Sequence, residues 1–92
     1  MTQLPEWLRT YPPAQRAALI VHLEEIELRG RSELPHVVVA ERAGVGRSAV
    51  VMAVATAWAR HDLMVQSREG EPSVIRLPRG KVSGTAAEAD GG

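Results

Sequence analysis

The run from Val39 to Val50, Val-Ala-Glu-Arg-Ala-Gly-Val-Gly-Arg-Ser-Ala-Val, constrains this chain more than any other. Gly44-Val45-Gly46 separates two apolar stretches and leaves only three residues for a turn. Glycine reaches left-handed backbone angles without a Cβ penalty, so Gly44 can stop one helix and let a second leave at a steep angle. Val45 is expected to plug the gap between them. The second helix is expected from Gly46 or Arg47 to about Arg60. In it Val50, Ala53, Val54, Ala57 and Trp58 fall at i, i+3, i+4, i+7 and i+8, the spacing of one inward face.

The flanking elements follow from the same spacing rules. Leu4, Trp7, Leu8 and Tyr11 fall at i, i+3, i+4 and i+7, a short helical turn broken by Pro12-Pro13. A longer helix is expected from about Ala14 to Arg29, with Gly30 as its stop and Leu19, Ile20, Leu23 and Ile26 as its core face. Ala17, Val21 and Leu28 lie on an adjacent flank, covered either by the Trp7/Leu8 segment or by a dimer seam. Ser32 is placed to cap the next helix, with Glu33 near its positive end and Pro35 in its first turn. Val37-Val38-Val39 favours a strand by β-branching, but the spacing of Val39, Ala40 and Ala43 tips the segment to helix.

Beyond the second helix of the turn, Leu63–Arg68 and Val74–Pro78 are two β-type runs around the turn-forming Glu69-Gly70-Glu71-Pro72-Ser73, which predicts a hairpin over 64–77. Residues 80–92 lack any pattern and are expected to form a mobile tail. The expected organisation is an N-terminal extension (1–13), one domain (14–79) and that tail. The fold class is mainly α with a small β-hairpin, α+β overall.

Composition narrows the function. The 92 residues suit one small domain, and 45% hydrophobic content suits a globular one. There is no cysteine, which excludes disulfides, thiolate zinc sites and thiol catalysis. No apolar run reaches membrane-spanning length and no signal-peptide pattern opens the chain, so a cytoplasmic protein with no membrane partner is expected. His22, His36 and His61 are scattered without metal-ligand spacing, and Glu24, Glu25 and Glu27 are expected to form a solvated face. His61-Asp62 is expected at a helix end, and Trp7 and Trp58 as separate core anchors. No enzyme, metal or cofactor is indicated. Net charge is zero, yet residues 1–41 carry four arginines against six glutamates, whereas 42–81 carry seven cations against three acids. The basic half is the half that holds the glycine elbow and everything after it up to Lys81.

Two helices so joined make a helix-turn-helix, whose second helix stands proud of the body where it can enter a DNA groove. Three helices followed by a hairpin resemble the winged helix-turn-helix superfamily of bacterial regulators. The elbow is similar to the GntR-type run Leu-Ala-x-x-x-Gly-Val-Ser-Arg-x-x-Val: this chain has Val39-Ala40, Gly44-Val45, Gly46 where serine is usual, then Arg47 and Val50. The motif covers Val39 to Val50 only, and within these 92 residues the ligand-binding domain that GntR regulators carry is not expected. The resemblance implies that Arg47 meets phosphate or a guanine edge, with Ser48 and Ala49 beside it at the groove. It also implies that Arg68, Arg76 and Arg79 lie on or near the wing and grip the DNA backbone or minor groove.

Arg42 belongs to the same basic half. The outward positions Val51, Met52, Ala55, Thr56 and Ala59 depart from the usual polar readers. Val51 and Met52 can touch thymine methyls or bury against protein. Sequence therefore supports a sequence-specific duplex DNA-binding regulator, expected as a homodimer, that uses helix 47–60 and hairpin 64–77. The alternative is an adaptor that docks on a protein partner through Val51/Met52 or the flank of the first long helix.

Overall fold

The computed structural model describes residues 4–78. A 3₁₀ turn (Glu6–Thr10) leads into three helices, α1 (Pro13–Arg29), α2 (His36–Ala43) and α3 (Arg47–Ala59). A hairpin follows, β1 (Met64–Arg68) and β2 (Glu71–Arg76). The chain is thus α+β, three helices and one antiparallel pair, in the expected order. Arg79 and residues 80–92, the expected tail, lie outside the described residues.

Local chemistry explains each boundary. Pro12 precedes α1 and Pro13 opens it, where a missing N–H costs nothing. Gly30 ends it with its amide bonded to the Ile26 carbonyl at 2.7 Å. Helix α2 forms despite three consecutive valines because Val39 and Ala40 bury on the core side. Gly44 adopts φ 71°, ψ 34° and donates to the Ala40 carbonyl, making the left-handed stop that the elbow demands. Val45 is half-buried against the core between the two helices.

The core is one cluster. Leu8 and Tyr11 from the N-terminal segment, Leu19, Leu23 and Ile26 from α1, Val39 from α2, Val50, Ala53 and Ala57 from α3, and Leu63 and Ile75 all meet in it. Each large aliphatic side chain so buried contributes about 1.5–3 kcal/mol. Alanines at positions 18, 53 and 57, all fully buried, let α1 and α3 approach closely. In the hairpin Val65 faces Ile75 and Gln66 faces Val74, with an irregularity between Gln66 and Arg68.

Four expectations need correction. Ser32 does not cap α2. Its amide donates to the Ile75 carbonyl and its carbonyl accepts from the Ile75 amide, both at 2.8 Å, so it bridges to β2 as a one-residue strand. Pro35 accordingly lies just before α2 and not in its first turn. Glu25 is not on a solvated face: it is buried and pairs with Arg29 at 3.0 Å and Arg42 at 3.4 Å. Trp58 is not a core anchor; it is 57% exposed. On the flank of α1, Val21 is buried, Ala17 half-buried and Leu28 exposed, while Leu8 from the 3₁₀ turn is buried against the core.

Two buried polar ties fix the angles of the elements. The Tyr11 hydroxyl donates to Asp62 Oδ2 at 2.7 Å, linking the N-terminal segment to the end of α3. Burial, and then the Asp62 carboxylate, push the Tyr11 hydroxyl up to about 12. The Arg60 guanidinium stacks over the same ring, 4.6 Å from its centroid. On the far side His22 Nδ1 lies 2.7 Å from Ser32 Oγ, linking α1 to the residue that holds β2. Burial, and then the nearby charge of His36, hold His22 down at about 4.

Candidate nucleic-acid interface

Helix α3 has 13 residues, and successive residues turn by about 100°. Val50, Ala53, Val54 and Ala57 therefore share one side, and all four are buried. Ser48, Val51, Met52, Ala55 and Ala59 fall on the opposite side, and all five are exposed. Trp58 sits at the edge of that outer face. A helix that is apolar all round is ordinarily covered all round. Here the outer side is open.

The N-terminal end of α3 is also open. Gly46 precedes it with extended backbone and supplies no side-chain cap. Its carbonyl accepts the amides of Ala49 and Val50, and no acidic residue stands in the first turn. The first amides of the helix point outward with the positive end of its dipole. Arg47 and Ser48 are exposed there, and among the described residues Arg47 forms no hydrogen bond or ion pair. Ala49 is half-buried beside them.

The other expected site residues are placed differently. Arg42 is exposed but leans 3.4 Å from Glu25 Oε2. Arg68 is half-buried and fully engaged. It donates to the Pro72 carbonyl at 2.8 and 3.1 Å and pairs with Glu33 at 3.3 Å and Glu71 at 3.1 Å. Arg31 also hydrogen-bonds Glu33, and with Arg68 beyond it this holds the Glu33 carboxyl below the usual carboxylate range. Arg68 therefore staples the hairpin to the segment before α2. The hairpin tip carries exposed Glu69, Gly70 and Glu71. Arg76 lies at the hairpin root opposite Met64, exposed, with Nη1 3.4 Å from Gln66 Oε1. Arg79 lies outside the described residues.

Val51, Met52, Arg47 and Ser48 thus come together on α3, whereas Arg68 and Arg76 sit at opposite ends of the hairpin. Spacing alone missed Trp58 on the exposed side. The signal for it was present, since α3 is apolar at more positions than one buried face can use. Among the described residues no three His, Asp or Glu side chains converge closely enough to hold a metal ion. None of their helices is long and apolar enough to cross a membrane. No protein-family model, curated protein or solved structure matches the chain.

Proposed function

We propose that this chain is a winged-helix protein that binds duplex DNA, setting the N-terminal half of α3 into the major groove, and acts as a small transcriptional regulator. The observation that carries the proposal is the open N-terminus of α3: Arg47 and Ser48 exposed, uncapped amides beside them, and no acidic side chain anywhere in the helix. Such an end attracts phosphate and presents a guanidinium to a base edge. The layout supports it. The Gly44 elbow turns α3 away from α2, and the hairpin follows it, anchored through Ser32 and Ile75.

In this proposal each residue has a physical task. Arg47 meets phosphate or guanine, and Ser48 adds a hydroxyl at the groove. Ala49 keeps the approach close, and Val51 and Met52 form the contact surface. Arg76 reaches backbone from the hairpin root, and Arg42 reaches it from the end of α2. Arg68 shapes the hairpin through its bonds to Pro72, Glu33 and Glu71. Mobility shift at low salt tests this. Wild type retards a duplex, and Arg47→Ala with Arg76→Ala abolishes the retardation with an unchanged circular dichroism spectrum. Equal retardation by the double variant overturns the assignment.

A second reading is favoured by one observation, the apolar outer face of α3 with Trp58 at its edge. Exposed apolar helix faces mark protein interfaces. On that reading the face docks on a second copy or another protein, and Met52→Glu dissociates the complex in size exclusion without changing DNA affinity.

A further inference from the structure

We infer that the outer face of α3 recognises the C5-methyl groups that thymine places in the major groove, so that this chain selects T-rich duplex by apolar contact rather than by hydrogen bonding. The inference rests on the proposal above that α3 enters that groove. Val51 and Met52 are 47% and 55% exposed, and Ala55 and Ala59 continue the same side. Hydrogen-bonding side chains stand only around this apolar centre: Ser48 at its start, half-buried Thr56 on one flank and Trp58 on the other.

The groove chemistry then narrows what such a face accepts. Every base pair presents nitrogen and oxygen groups there, and the thymine methyl is the apolar exception. Pressing Val51 and Met52 on a guanine or cytosine edge strips water from donors and acceptors and returns no hydrogen bond. Pressing them on thymine methyls buries carbon against carbon. Alanine at position 55 keeps the helix surface low between these side chains and the groove floor. Charge fits the same occupant: Arg47 stands at one end of the face, and the segment Arg47–Ala59 holds no acid to repel the phosphates that rim a groove.

The test is fluorescence anisotropy at low salt on four duplexes of one length. The first is alternating dA-dT, and the second has deoxyuridine for every thymidine, which deletes the methyl and keeps the hydrogen-bonding edge. The third is alternating dG-dC, and the fourth has 5-methylcytosine for cytosine. Each methyl contact is expected to be worth about fourfold in affinity, so the thymine duplex binds about fifteenfold more tightly than the uracil one when two methyls are touched. The methylated dG-dC duplex binds more tightly than its parent. Val51→Ser with Met52→Gln brings both ratios to about one. Equal affinity for the thymine and uracil duplexes overturns the methyl inference and leaves DNA binding standing. No binding to any duplex, with elution at twice the chain mass that Met52→Glu reverses, overturns both and gives the face to a second copy.

Discussion

The two sides of α3 are built from the same kinds of residue and meet opposite fates. Val50, Ala53, Val54 and Ala57 are sealed against α1 and α2, while Val51, Met52, Ala55 and Ala59 face outward. Composition does not choose between them. The choice is made at the ends of the helix. At its start Gly44 turns the chain and Val45 wedges under it. At its finish the Asp62 and Leu63 amides fold back onto the Ala57 carbonyl, and Asp62 accepts the Tyr11 hydroxyl. These contacts fix the rotation of the helix about its axis. The closed side therefore carries stability, and the open side carries none of that burden.

A charge placed on either side separates the two faces. Ala57→Asp puts an unpaired carboxylate into the fully buried side and costs more than about 4 kcal/mol, enough to unfold a small domain. Ala55→Asp, two residues away on the open side, stays within about 0.5 kcal/mol. Urea unfolding followed by circular dichroism distinguishes the two. A large loss at Ala55 would mean that the outer face is covered.

Acid tests the interior beyond α3 next, at a buried side chain of α1. His22 is buried neutral, at about 4 in the fold against 6.5 in the unfolded chain. Below 6.5 the unfolded chain takes up a proton that the fold refuses. The stability linked to His22 is therefore full above about pH 6.5 and is lost as pH falls toward 4, on the order of 3 kcal/mol in all. Denaturation midpoints from pH 7 to 4 show this as a steady decline, and His22→Asn flattens that part of it.

A smaller effect is expected just past the end of α3. His61 holds φ 64° in the left-handed region, where a side chain is strained. His61→Gly relieves this and raises stability by about 0.5–1 kcal/mol. Thermal unfolding reads it as a higher midpoint, while DNA affinity stays the same because His61 is at the far end of the helix from Arg47.

Much of the fold was legible because it is local. Pro13, Gly30, Gly44 and Gly46 bound the helices by backbone chemistry alone, and the runs around Gly70 announce the hairpin. What sequence hid was long-range. Ser32 looks like a cap because it precedes a helix at short distance, and its bridge to Ile75 spans forty-three residues. Arg68 has a local partner in Glu71, three residues on, but its tie to Glu33 thirty-five residues upstream was hidden, as was the tie of Arg42 to Glu25 seventeen upstream. Trp58 fell on the inward list because i+8 drifts to the edge of a helical face, where a bulky ring turns to solvent. Of the candidate site, Arg47, Ser48, Val51 and Met52 were readable as one cluster because all four sit within two turns of a single helix.

On the proposed reading, the open end and outer face of α3 engage duplex DNA. The salt dependence of binding, measured for wild type and Arg47→Ala, decides this. Affinity that falls linearly on logarithmic axes as salt rises, with a slope reduced by about one in Arg47→Ala, is the predicted result. Absence of binding at low salt, or a slope that Arg47→Ala leaves unchanged, would contradict it.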